Sequence, residues 1–351
     1  MEHMHRQLGA SLAPDGIPLH YGHLGAEYEA ALNRAVLMDR SHEGRLNIDR
    51  KDRLNIIHRI STNDVAALAT GAGKPTILTN PNGRILDRIM VYNHAEQSLV
   101  TTEPGRGATV QQYLKRNLFY NDEAHLTDLS PSTQLFTMHG PLADSVIYSI
   151  TNIQAPPASP DYGVFQARIT GIDVTVMQRK PLVGGHWAIM VAKEHAERVW
   201  NALREHADVH LAGSLTYNAI RIRSGRPAAG RELTESYIPL EAGLWDEVSF
   251  QKGCYTGQEI IARLESRGRL AKIMVTLLLD TAVTAPTAIY LDMKEIGTIT
   301  SCTTAPDGIH YGIGFVKRAG ASAGTELTIG TDHIAAKVSS IAGVPPPYLD
   351  S

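Results

Sequence analysis

Apolar positions recur with two periods along the chain, and the alternation between them predicts its elements. From Ala26 to Leu37 they fall at helical spacing, Met38 to Ser41 breaks the pattern, and Gly44 to Ile48 reads as a strand. Asp52 then stands ahead of Leu54, Ile56, Ile57 and Ile60 as the cap of a second helix, which the turn-forming Ser61 to Asp64 closes. Between Pro75 and Tyr92 two strand-like runs flank Asn80-Pro81-Asn82-Gly83, a hairpin turn in which asparagine and glycine accept positive φ. Asp87 and Arg88 are adjacent inside the second run, so their side chains leave opposite faces.

The alternation continues. A helix is expected around Val110, Tyr113 and Leu114, then a strand, Gly-Pro turn and helix from Leu135 to Ile147. A Pro-rich loop over Ile153 to Gly163 leads to a strand pair at Ala167 to Met177 and a further strand within Leu182 to Ala192. The helix from Glu194 to His206 places Val199, Trp200 and Leu203 on one face, with Trp200 in the core. Strand–helix–strand repetition predicts an α+β protein with two related subdomains, over residues 1–130 and 131–265. After Arg269 short strands separated by turns predict a small barrel over 266–351, and Val344 to Ser351 an extended tail.

Chemistry concentrates in Ser249 to Arg269. Thr256 and Glu259 form a capping-box pattern ahead of Ile260, Ile261 and Leu264, so a helix should start near Thr256. Cys254 then precedes a helix N-terminus and follows Lys252, an environment that favours thiolate; the alternative is an inert buried thiol. Arg221, Arg223 and Arg226 form either a solvated face or a receptor for carboxylates, and Glu241 caps or pairs locally.

With 351 residues and 43% hydrophobic content, the chain can bury more than one core. A net charge of -3 gives no general attraction to nucleic acid or anionic membrane, and no apolar run approaches a membrane span. Two cysteines, Cys254 and Cys302, are too few for a disulfide framework or an all-cysteine cluster held by one chain, which points to a reducing compartment. A soluble cytoplasmic protein is expected. The 15 histidines lack zinc-site spacing, so no metal site is assigned.

The string KGCYTGQE at Lys252 to Glu259, followed by Ala262 and Arg263, resembles the signature of YgfZ-type folate-binding proteins, within the superfamily of the glycine cleavage T-protein, a tetrahydrofolate-dependent aminomethyltransferase. The resemblance extends over most of the chain. It implies two α/β subdomains and a C-terminal barrel around a central folate-binding opening, and tetrahydrofolate or a derivative as ligand. It places Asp87, Arg221, Arg226, Glu241, Tyr255, Gln258 and Glu259 at the folate, the two arginines toward its glutamyl tail, and Cys254, Lys252 and Asp87 at the chemistry. The implied role is an accessory factor for assembly or repair of iron–sulfur enzymes, including ones that modify tRNA, with iron–sulfur client or assembly proteins as partners. Three departures weigh against aminomethyl transfer. Arg88 replaces the second of a paired aspartate, His186 and Trp187 stand in an acidic loop, and Arg223 falls where transferases carry a pterin-contacting glutamate. The alternatives are a one-carbon transferase or demethylase, and a scaffold that has lost folate.

Overall fold

The structure is a computed structural model that describes residues 1–151, 153 and 162–346. Most of the loop expected over Ile153 to Gly163, and the tail beyond residue 346, lie outside the described residues. The chain forms two compact units. The first comprises Met1–Ile57, Val65–Pro75 and Ile89–Ile220, the second His58–Asp64, Thr76–Arg88 and Arg221–Ser351.

One connection pattern occurs twice. In the first repeat the strand Glu43–Asp49 leads through the helix Arg53–Ile60 to a meander of Gly73–Thr79, Ile85–His94 and Gln97–Pro104. The last strand pairs antiparallel with the first, so that Leu46 faces Val100. In the second repeat Thr133–Gly140 leads through the helix Ala143–Thr151 to Val164–Ile169, Ile172–Gln178 and Gly185–Ala192. Again the last strand returns to the first, with Phe136 opposite Ile189. The strand–helix–strand repetition read in the sequence is present, although the compact units do not follow the division at 130 and 265, and the hairpin at Asn80 to Gly83 is present with Gly83 at φ 68°. The second repeat packs Phe136, Trp187, Val199, Trp200 and Leu203 into one core, each fully buried. Burying such a side chain contributes roughly 1.5–3 kcal/mol.

One local expectation is corrected, and a second, Asp52 ahead of the helix Arg53–Ile60, holds in position though its carboxylate is used elsewhere. The first long helix runs Leu24–Asn33, and Ala35–Asp39 is a strand paired with both Thr133–Gly140 and Val209–Leu211. Its residues are buried along its whole length, and a strand covered on both faces shows an unbroken apolar run that imitates helical spacing. The Asp52 carboxylate accepts the Glu123 N–H at 2.8 Å, while its carbonyl accepts the Ile56 N–H as the first turn of the helix.

In the second unit six strands, Ile273–Leu279, Thr287–Leu291, Lys294–Thr304, His310–Val316, Glu326–Ile329 and Ile334–Ile341, close into a barrel. Leu277, Ile289, Ile299 and Val338 are among its buried apolar residues. The segment leading to it is pinned by Tyr237, whose ring stacks on Phe315 with centroids 3.4 Å apart and planes 8° from parallel. Ile77 and Ile85 of the hairpin join Tyr237, Leu244 and Phe315 in one cluster of this unit.

Candidate functional site

The loop that carries Cys254 is held by the residues on either side of the thiol. Lys252 is buried, and its ammonium donates to the carbonyls of His58, of Ser61 at 2.7 Å and of Asn63 at 3.0 Å. Three donors meet three acceptors around the end of the helix Arg53–Ile60, where the last carbonyls lack partners in their own helix. Lys252 therefore ties the loop to a helix C-terminus, and its hydrogen-bonding capacity toward the thiol is already used. Burial pushes its pKa down to about 8, against a smaller opposing pull from Asp64. Tyr255 is buried on the same side, its ring centroid 5.2 Å from the Lys252 Nζ, and burial pushes its phenol up to about 12. Between these inward-facing anchors Gly253 and Cys254 are exposed. The structure thus displays the thiol, and the buried-thiol alternative is set aside. Cys302 differs: it is half-buried, donates to the Val283 carbonyl at 2.7 Å, and burial pushes its pKa up.

The helix after the loop runs Gln258–Arg267 and starts without the expected capping box. Gly257 occupies the cap position at φ 84°, and no side chain caps it. The reason lies in the hairpin. A Cβ on Gly257 would lie 2.6 Å from the Asn80 carbonyl oxygen and 2.8 Å from the Gly83 Cα, and the Thr256 carbonyl accepts the Thr79 hydroxyl at 2.6 Å. The turn is moulded against the hairpin tip, with no room for a Thr256 cap geometry. Gly253, by contrast, has open space where a Cβ would stand.

Asp87 and Arg88 leave the hairpin strand on opposite faces, yet both are buried. Arg88 forms a two-pronged pair with Glu247, Nε to Oε2 and Nη2 to Oε1 both at 2.7 Å, and Glu247 is fully buried. The Glu247 carbonyl accepts the Thr62 hydroxyl at 2.7 Å and the Asp246 carbonyl the Asn63 amide at 3.2 Å, so the turn Ser61–Asp64 joins this assembly. His58 pairs with Asp64 at 3.2 Å, while burial and Lys252 push its pKa down.

The remaining expected residues divide by burial. Arg221 is buried and donates to Glu232 at 3.3 Å and to the Ser301 hydroxyl at 3.0 Å, while Glu232 also accepts from Thr300 at 2.6 Å and the Ala228 N–H at 3.0 Å. Arg223 is exposed and lies 3.7 Å from Asp307, and Arg226 is half-buried, so the three arginines do not form one face. Glu241 is buried, accepts the Ile238 N–H at 3.2 Å and lies 3.6 Å from Arg84; burial pushes its pKa up. Gln258 donates to the Lys252 carbonyl at 3.4 Å, and Glu259 is exposed. Lys252, Tyr255 and Gln258 thus meet in one turn around Cys254, with Glu259 exposed on the adjoining helix, whereas Arg221 and Glu241 serve the framework of the unit. Glu247 and Glu232 escaped sequence reasoning. The signal that could have found them is an arginine in an apolar strand or helix, which calls for an acid elsewhere.

Residues 2–252 match the family of the GCVT N-terminal domain. A chloroplastic protein of Arabidopsis thaliana that carries a provisional transferase name is 29% identical over 98% of this chain and 80% of its own length. An aminomethyltransferase of Halalkalibacterium halodurans is 24% identical over 93% of this chain and 91% of its own. Among solved structures, the glycine cleavage system aminomethyltransferase T of Bartonella henselae superposes with a TM-score of 0.83 over 96% of this chain and 95% of that one, at 20% identity, which shows a shared fold.

Proposed function

Since this chain belongs to the GCVT N-terminal domain family, we propose that it is a tetrahydrofolate-binding accessory factor for iron–sulfur enzyme assembly or repair, with Cys254 as its reactive group. The observation that carries the reading is the displayed thiol between two buried anchors. Lys252 and Tyr255 fix the loop from inside, leaving Cys254 presented to a partner. One thiol cannot hold a cluster, so a client or assembly protein would supply the remaining ligands.

The donor set fits a reduced folate in part. A carboxylate at Asp87, an amide at Gln258 and a cation at Arg226 suit the amino-pyrimidinone edge and the glutamyl tail. Arg221 and Glu241, placed in that set by resemblance, are engaged with Glu232 and with Ile238 and Arg84. Folate would supply a one-carbon carrier. What the chain contributes is orientation of the ring by Asp87 and Gln258 and a fixed position for the thiol.

The second reading is a one-carbon transferase, favoured by relatives named aminomethyltransferase. Against it stands Arg88, whose pairing with Glu247 places a neutralised ion pair where transferases carry a second aspartate. Calorimetric titration of tetrahydrofolate into the wild type and Cys254→Ala tests the proposal. Saturable binding of similar affinity in both is expected. Absence of binding to the wild type removes folate from the function and leaves the scaffold reading.

A further inference from the structure

In the first unit, Arg40, Glu43 and Arg179 form a buried cluster that shares no residue with the folate set. Arg40 Nε donates to Glu43 Oε1 at 2.8 Å and Arg179 Nη1 to Glu43 Oε2 at 2.7 Å, so one carboxylate serves two guanidinium groups. Arg40 and Glu43 are each 4% exposed and Arg179 is 9% exposed. A third arginine, Arg45, is 1% exposed and donates to the carbonyls of Ser41, Glu43, Ser130 and Thr133 and to the Thr133 hydroxyl. The nearby Asp39 is engaged by His5 at 3.0 Å. His42 adds no charge at neutral pH, because burial and Arg40 push its pKa down to about 4. Two buried guanidinium groups therefore share one buried carboxylate, in an interior where charges ordinarily come paired, while Arg45 spends the donors just named on carbonyls and a hydroxyl.

The open valences have a direction. The Arg40 guanidinium carbon lies 3.9 Å over the Tyr217 ring, which covers one face, and Glu43 takes the Nε edge. The outer edge, with the Nη donors, meets no acceptor among the described residues. The buried Nε of Arg179 is likewise without an acceptor among them. A guanidinium edge offers two parallel N–H bonds, which match the two oxygens of a carboxylate.

We propose that Arg40, seated on Tyr217 and backed by Arg179, binds the carboxylate group of a small organic acid. The acid supplies the negative charge the cluster lacks, and Glu43 holds the two guanidinium groups in position to receive it. The same fork can also pair with two oxygens of a phosphate, so inorganic phosphate is the competing anion.

The probe is sodium acetate, titrated into the full chain at an ionic strength held constant with chloride, with calorimetry and thermal unfolding as readouts. The wild type should give a saturable heat and a rise in melting temperature. Arg40→Lys, which keeps the charge and loses the fork, should bind about tenfold or more weakly. Arg40→Leu should not respond, and if it fails to fold the lysine variant decides. Equal responses in wild type and Arg40→Lys, or no saturation in the wild type, overturn the proposal. Saturable binding of inorganic phosphate without any of acetate overturns the assignment to a carboxylate. Because acetate is read without folate, either result leaves the folate titration to be judged separately.

Discussion

Lys252 directs all three of its donors at carbonyl oxygens, so removing it leaves a ring of buried acceptors rather than a missing contact at the surface. Lys252→Met should lose on the order of 2–4 kcal/mol of stability in urea unfolding and should speed alkylation of Cys254 as the loop loosens. Unchanged stability and alkylation rate in Lys252→Met would show that the carbonyl ring is not what fixes the loop. The Arg88–Glu247 pair obeys a related asymmetry. Arg88→Ala should cost roughly 3–5 kcal/mol because it strands a fully buried carboxylate, while replacing both partners by methionine should cost less than that single change. Chemical denaturation of the two variants compares them directly. Sequence alone shows Arg88 as a charge in an apolar strand and raises the question of its purpose. Only the fold answers it, since Glu247 is distant in sequence and unremarkable in its own surroundings.

The helix Gln258–Arg267 was legible from its apolar spacing, but its start was not, because that depends on the hairpin tip against Gly257. The two glycines of the motif should therefore behave differently. Gly257→Ala imposes a Cβ at positive φ against backbone atoms and should cost on the order of 2–3 kcal/mol, whereas Gly253→Ala meets open space and should be nearly neutral. Melting temperatures of the two proteins check the contrast. The same distinction explains the strand Ala35–Asp39: periodicity reports which residues are apolar, and burial on both faces erases the difference between strand and helix. The hairpin, the helix of Val199 and Trp200 and the barrel strands were readable because each has one covered face or a turn with its own chemistry. Of the expected site residues, the ones adjacent in sequence, Lys252 to Glu259, are those the fold keeps together.

At the scale of the whole molecule, the first unit rests part of its acid stability on one carboxyl. Burial pushes Glu43 up, but Arg179 and Arg40 outweigh it and hold it at about 2, below its ordinary 4.5. A depressed carboxyl contributes stability that is present above its unfolded value and lost as pH falls from there toward the folded one, so the loss belongs between pH 4.5 and 2. Over that window the wild type should lose stability more steeply than Glu43→Gln, by a total on the order of 3 kcal/mol; parallel curves would place the acid sensitivity elsewhere.

The chain enters the second unit briefly at His58–Asp64 and Thr76–Arg88, returns each time to the first, and completes the second only from Arg221 onward. Neither unit can be cloned as one uninterrupted stretch of the gene. A fragment of residues 221–351 lacks Ile77 and Ile85, which share a cluster with Tyr237 and Phe315, and lacks the carbonyls that receive Lys252. On the ribosome the hairpin and the 58–64 turn emerge well before the strands they serve, so the second unit must mature late, after most of the first has been made. A nick or insertion in the hairpin would then injure the second unit at a point remote in sequence from most of its residues.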